Sequence, residues 1–448
     1  MVFSRRLTKL LKICLVIATT FVFLKLIQNS DDDSAPRFDT NTLPPINETI
    51  SNLSDGTQNT AILNLSHEPN FSSPINQKII VESMEFLNFH HRILNVDKFG
   101  PLSAESVSVV LVVQVHSRPE YLSFLIESLR HARDINQTLV VFSHDLRSTE
   151  INDLIQNITF CRVVQIYYPH NIQLFPNIFP GQDSNDCPER ISKDEAKSRK
   201  CNNWNYPDKY GNYRVAQLTQ IKHHWWWKMN YVFDGIIKRY GLEQKYVLML
   251  EEDHYLAPDA LYILDSMIRD KENVCSDCEI LCLGIYLKNY RTYANDINKL
   301  SVQIWFSSKH NMGFALNLET WQKIRSCSDL FCKDYDDYNW DWTLLQVSIK
   351  CLSARLRVIV AKAPRVIHIG DCGVHTHKCK PHDAAANART LFESNKQLFF
   401  PQNVVRSEIT KRTLKPSKPN GGWGDIRDHQ LCIQNTFPYK PATETPIG

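Results

Sequence analysis

Three acids stand in a row at Glu251, Glu252 and Asp253, directly after the apolar run YVLML. Neighbouring carboxylates repel one another and resist burial, so a cation must neutralise them or water must reach them. Hard carboxylate oxygens at a strand end suit Mg²⁺ or Mn²⁺; the alternative is a solvated turn with Asp253 near a helix start. A second constellation is QIKHHWWWK, in which Gln220, His224 and Lys228 fall on one helical face at i, i+4 and i+8. A third is Cys275-Ser-Asp-Cys278, spaced for a local disulfide or for half of a zinc site, with Cys372, His375, His377 and Cys379 as the other half.

These side chains need elements to hold them. SVSVVLVVQV at 106–115 reads as a strand covered on both faces. A helix opened by Pro119 follows, then a strand at 138–145, a helix at 147–156 and a strand at 162–169. Alternating strands and helices predict a parallel sheet with right-handed crossovers. Residues 170–205 read as a long insertion, clipped by Cys187 and Cys201. Leu218, Ile221, Trp225, Met229, Val232 and Ile236 step by three or four, which predicts a helix from Val215. Trp225 fits its core stripe, which leaves Trp226 and Trp227 to core packing or to an acceptor surface. The acidic strand end, a helix from Pro258 to about Asp270 and a strand at 279–286 complete one α/β domain. Ligands bind such domains beyond the carboxyl ends of the strands, where the three acids lie.

The chain has 448 residues and a formal net charge of +3 with no basic stripe, which argues against nucleic acid as a partner. Residues 10–29 are apolar enough to cross a bilayer when Lys12 and Lys25 snorkel. Arg5, Arg6 and Lys9 precede this segment, so the positive-inside rule predicts a cytoplasmic tail at 1–9 and a lumenal remainder. A cleaved signal peptide is the competing reading. Residues 30–85 read as a polar stem, and the catalytic domain is expected at 86–448. The stem carries N-x-S/T sequons at Asn47, Asn52, Asn64 and Asn70, and Asn136 and Asn157 add two more. Thirteen cysteines in such a chain point to disulfides in an oxidising lumen.

An acidic triplet ending a strand, in a chain with an anchor, stem and lumenal α/β domain, is similar to the metal motif of GT-A glycosyltransferases. The words FSHD, QIKHHWWWK, LEEDHYLAPD, HNMG, DDYNWDWTL, HIGDCG and NGGWGDIRDH narrow this. Over roughly 86–435 the chain resembles the N-acetylglucosaminyltransferase II family of the Golgi. The resemblance implies a Rossmann-like GT-A fold with a disulfide-rich C-terminal region in a type II Golgi membrane protein. It implies inverting transfer of N-acetylglucosamine from UDP-N-acetylglucosamine to the 2-hydroxyl of the α1,6-arm mannose of N-glycans, and it leaves room for a homodimer. A relative with another mannose acceptor and a non-catalytic glycan-binding protein of the same fold are the alternatives.

The site residues follow from the same resemblance. Asp253 and His368 match protein ligands of Mn²⁺, with Glu251 and Glu252 completing the motif. Gln114, Val115, His116, Ser117 and Arg118 match a nucleotide-binding loop. Asp145 ends the second strand, where it holds the nucleoside or caps the helix near Ser148. Gln220, Ile221, Lys222, His223 and His224 match a further substrate stretch, as does His310; Arg291 is a weaker match. Asp341 matches the base that takes the acceptor proton. Asp336 and Asp337 are its local rivals, and Trp340 and Trp342 are available to pack on sugar faces. The implied disulfides are Cys187–Cys201, Cys275–Cys278, Cys327–Cys351, Cys332–Cys432 and Cys372–Cys379, leaving Cys161 and Cys282 free in strands.

Overall fold

Helix α1 (Pro74–Phe89) crosses the boundary expected at residue 85, so the catalytic unit takes in helix upstream of it. Met84 is buried, and the Asn88 amide bonds both the C=O and the N–H of Tyr167 at 2.7 and 2.8 Å. The computed structural model describes residues 74–287, 289–370, 380–410 and 418–439. All of these lie in one unit, Pro69–Gly448. The expected anchor, the stem sequons and the Cys372–Cys379 pair lie outside the described residues. Among the described residues no helix is long and apolar enough to cross a membrane.

Strand β1 (Val109–Val115) is buried at every position except Gln114, which is half-buried. Helix α2 (Pro119–His131) starts with its proline at the first turn, where a missing N–H does no harm. Strands β2 (Thr138–His144) and β3 (Arg162–Tyr167) flank α3 (Thr149–Gln156). Helix α4 (Ala216–Tyr231) runs on as a π-helical turn over Val232–Lys238. Strands β4 (Val247–Glu251) and β5 (His254–Leu256) precede α5 (Ala260–Cys275), which ends later than expected. The expected strand at 279–286 is reduced to β6 (Ile280–Cys282). There follow β7 (Lys299–Ile304), β8 (Phe314–Leu316), α6 (Trp340–Lys350), β9 (Arg357–Ala361), β10 (Val366–His368), α7 (Pro381–Ser394), β11 (Val405–Ile409) and α8 (Ile426–Gln434).

Nine strands form one sheet in the order β11-β7-β9-β6-β8-β4-β1-β2-β3. The block β4-β1-β2-β3 is parallel, as expected. Beyond it the expectation fails: β8 runs antiparallel to both β4 and β6, and β7 antiparallel to β9. Strands of three residues such as β6 and β8 carry no residue pattern that fixes direction. A separate antiparallel pair, β5 with β10, sets His254 opposite His368.

One face of the sheet packs on α2 and α5, the other on α4 and α6. Trp225, Trp226 and Trp227 are all buried, so none of them lines an acceptor surface. Helix α4 is central: Trp225 stacks on Trp340 at 4.4 Å and 6°, Trp226 on Phe331 at 4.2 Å, and Trp227 on Tyr231 at 5.1 Å. Trp340 therefore packs inward and has no face for a sugar. Disulfides join Cys187–Cys201, Cys275–Cys278, Cys327–Cys351 and Cys332–Cys432, while Cys161 and Cys282 are free and buried. The Cys275–Cys278 bond removes the zinc reading of that pair. Asn136 and Asn157 are exposed.

Candidate active site

Two of the three acids, Glu252 and Asp253, share Arg118 as a partner. The backbone N–H of Glu251, the last residue of β4, donates to His254 Nδ1 at 3.1 Å. Buried Glu252 accepts the Arg118 Nε–H at 2.8 Å with one oxygen and the His116 backbone N–H at 2.9 Å with the other. Buried Asp253 lies with Oδ2 at 2.8 Å from Arg118 Nη1 and 3.2 Å from His368 Nε2. Beside the divalent ion that sequence analysis expects, the structure supplies a cation of its own, Arg118. It reaches the acids because β1 and β4 are sheet neighbours with Gln114 opposite Glu251.

His368 arrives by the β5–β10 pairing, and Ile369 N–H donates to the Asp253 carbonyl at 2.9 Å. A Cβ at Gly370 would stand 2.0 Å from Asp253 Oδ2, so only glycine permits this approach. Burial favours a neutral Asp253, but the hydrogen bond and charge of His368 and the charge of Arg118 outweigh it and hold the carboxyl well below its usual range. The same contact raises His368 against the effect of burial. Burial and the nearby Asp253 charge push Glu251 up to about 7, and burial pushes His254 down to about 3.

A second cluster forms around Asp145, just past β2. Its carboxylate lies 2.6 Å from His116 Nδ1 and 3.3 Å from His224 Nδ1, and accepts from Gln220 Nε2 at 3.2 Å. His224 Nε2 meets Ser143 Oγ at 2.8 Å. Burial disfavours the Asp145 charge, yet the two imidazoles hold its carboxyl below the ordinary range. Capping α3 falls to Ser148, whose side chain accepts the Ile151 N–H. Gln114 Oε1 accepts from buried Lys228 Nζ at 2.7 Å, and burial pushes that amine down to about 7.

Asp341 sits in the first turn of α6. One oxygen accepts Asn311 Nδ2–H at 3.0 Å and the other the Trp342 N–H at 2.8 Å. Burial raises this carboxyl to about 6. Its rivals are committed elsewhere: Asp336 accepts the N–H groups of Trp423 and Lys209, and Asp337 those of Asn339 and Asn420. Partial burial, and after it the charges of Glu251, Asp253 and Asp341, push the Tyr286 hydroxyl above its ordinary range.

The structure thus brings together Asp253, His368, Glu251, Glu252 and Arg118, and separately His116, Asp145, Gln220 and His224. It sends others of the sequence-derived set elsewhere. Lys222 Nζ donates to the Asp337 carbonyl at 2.9 Å and lies 4.1 Å from the Trp423 ring centroid. His223 pairs at 2.9 Å with Asp428, which also holds Arg214. Both side chains fasten the C-terminal region to α4. Ile221 packs against the core and Val115 is buried in it. Ser117 and Arg291 are exposed. His310 is buried, and its Nδ1 accepts the Phe306 N–H at 2.9 Å. Sequence reasoning missed His254, Asn311 and Tyr286. The first two stand inside the quoted words LEEDH and HNMG, beside residues that were singled out.

The acidic group has the chemistry of a divalent-cation site. Ligand atoms of Glu251, Asp253 and His254 lie within 4.8 Å of one another. Asp253 Oδ1 is buried with no hydrogen-bond partner among the described residues, and His368 adds a second imidazole. Carboxylate oxygens with imidazole nitrogen suit Mn²⁺.

Residues 81–432 match a family model described as N-acetylglucosaminyltransferase II (MGAT2). Curated proteins named alpha-1,6-mannosyl-glycoprotein 2-beta-N-acetylglucosaminyltransferase align with most of the chain. That of Homo sapiens is 47% identical over 351 residues, 77% of either chain, and that of Sus scrofa 46% identical over 350, again 77% of either. The Arabidopsis thaliana protein is 31% identical over 356 residues, 78% of this chain and 79% of that one. Among solved structures, S. aureus TarS overlaps 66% of this chain and 74% of its own at 9% identity, with a TM-score of 0.31 that carries no argument.

Proposed function

The chain belongs to the N-acetylglucosaminyltransferase II family, and from that premise we propose how its site works. It is a glycosyltransferase that adds N-acetylglucosamine to the 2-hydroxyl of the α1,6-arm mannose of N-glycans. Its donor is UDP-N-acetylglucosamine, and the transfer inverts the anomeric centre. The observation that carries this reading is the meeting of Asp253 and His368, 3.2 Å apart, through the β5–β10 pairing.

Asp341 takes the proton of the mannose hydroxyl as that oxygen attacks the anomeric carbon from the face opposite the leaving diphosphate. Burial suits it to the task, because a carboxyl raised to about 6 is a stronger base than an exposed one and is still ionised at neutral pH. Asn311 fixes the direction of its lone pairs. The Asp145 cluster binds the nucleoside with an ionised carboxylate oriented by His116 and His224. Asp253 and His368 would hold Mn²⁺ with help from Glu251 and His254; when bound, the ion stabilises charge building on the departing diphosphate. Glu252 clamps the loop His116–Arg118 against β4.

The N-terminal apolar segment anchors the protein in the Golgi membrane with this domain in the lumen. Four disulfides among the described residues support an oxidising compartment. The test is to incubate the full chain in detergent with labelled donor, a divalent cation and a panel of defined N-glycans, and to determine the linkage formed. Label is expected β-linked at O2 of the α1,6-arm mannose. Equal labelling of acceptors that lack this arm would overturn the assignment.

A further inference from the structure

Arg118 is placed to do more than balance charge. Its Nη1 lies 2.8 Å from Asp253 Oδ2, the oxygen that His368 Nε2 also approaches at 3.2 Å, while its Nε holds Glu252 at 2.8 Å. Glu252 accepts two further contacts from this loop, the N–H groups of His116 at 2.9 Å and Arg118 at 3.4 Å. The guanidinium is therefore tethered at one end by a residue fixed to its own backbone, and its other end occupies the proposed cation ligand. Gly370 closes on Asp253 Oδ2 so tightly that no Cβ would fit there. A cation that takes Asp253 Oδ2, the oxygen nearest His368 Nε2, must compete with Arg118.

We propose that Arg118 is a stand-in cation: it neutralises Asp253 until a divalent ion and the sugar nucleotide bind together, then swings from Asp253 to the diphosphate while Glu252 keeps its grip on Nε. The inference rests on the cation site assigned above. No covalent bond changes, and charge stays balanced because the diphosphate brings the anion that the released guanidinium needs. The device makes ion and nucleotide binding cooperative: an ion alone must displace Arg118 into water, whereas an ion with a diphosphate gives it a new partner. Arg118 acts here as a positioning residue for the cation ligand.

The test reads the ion and needs no turnover. Mn²⁺ is titrated into the full chain in detergent at neutral pH, with and without UDP, and free ion is measured by electron paramagnetic resonance. Arg118→Gln is expected to bind Mn²⁺ without UDP roughly tenfold more tightly than wild type, within the usual range of a coupling between two ligands, and to gain less from added UDP. Arg118→Lys keeps the charge without the two-pronged geometry and should fall between the two; it carries the test alone if circular dichroism shows that the Gln variant does not fold. A gain in affinity is an effect that simple structural damage does not produce. Wild-type or weaker affinity in both variants, with Mn²⁺ still bound by wild type in UDP, would overturn the stand-in role and spare the cation site. No Mn²⁺ binding by wild type even with UDP would overturn both.

Discussion

Replacing Asp341 by Asn should remove activity and stabilise the protein at high pH, and the two effects share one cause. The carboxyl is raised from the ordinary 3.8 to about 6 by burial. A carboxyl raised by folding favours the native state when protonated; that contribution is complete below the unfolded value and is lost as pH rises through about 6. Roughly two pKa units correspond to about 3 kcal/mol, an upper value. Asn does not titrate, so it escapes the loss. It offers one acceptor oxygen where Asp341 uses two, for Asn311 and for Trp342, and one lost hydrogen bond costs about 1 kcal/mol. The variant should therefore be about 1 kcal/mol less stable than wild type below pH 4 and about 2 kcal/mol more stable above pH 7. Urea unfolding with the disulfides intact, followed across pH 4–8, measures the difference. Turnover should fall by roughly 10²–10⁴ with UDP binding retained, and wild-type kcat/KM should decline as pH drops through about 6. A stability difference that stays flat across this range would show that Asp341 is not held as a buried carboxylate. Turnover above a tenth of wild type would move the base elsewhere.

Asp253→Asn should abolish the strengthening of UDP binding by Mn²⁺ in calorimetry, and an undiminished effect of Mn²⁺ would reassign the cation ligand. Gly370→Ala would put a methyl 2.0 Å from Asp253 Oδ2; activity should drop roughly a hundredfold, the scale of a 1 Å misplacement, with far-ultraviolet circular dichroism unchanged. Full activity would mean that Asp253 can shift without harm. Trp340→Ala removes the 4.4 Å stack on Trp225 and should destabilise the protein by about 3–5 kcal/mol, seen as a lower thermal midpoint and reduced turnover. A loss under about 1 kcal/mol would show that the neighbours refill the space.

The parallel block was legible because its signals are local. Unbroken apolar runs marked β1 and β4, and a three-or-four stripe marked α4. The antiparallel half was not, since three-residue strands such as β6 and β8 bear no directional pattern. Trp225 was legible as core, but the choice left open for Trp226 and Trp227 was not settled by the sequence, for a related reason. Periodicity assumes that a helix has a free face, whereas α4 is enclosed by the sheet and by residues of the C-terminal third. In the site, the acids and histidines stood out by type, but their partners did not. Arg118 meets Asp253 through strand neighbours, and His254 faces His368 through a pairing of segments more than a hundred residues apart. Lys222 and His223 shared a stretch with Gln220 and His224, and helical geometry alone turned them to the opposite side.

The enclosure of α4 bears on how the protein is made. Phe331 and Trp340, which stack on Trp226 and Trp225, leave the ribosome long after Trp225–Trp227. Through that interval Trp225 and Trp226 lack the rings that stack on them in the finished fold, the condition under which chaperones engage and aggregation begins. Cys332 then meets Cys432 across 100 residues, so this bond can form only once residue 432 has been synthesised. Maturation is expected to wait until Cys432 has emerged, and chains arrested near residue 320 should be found with folding helpers or in aggregates.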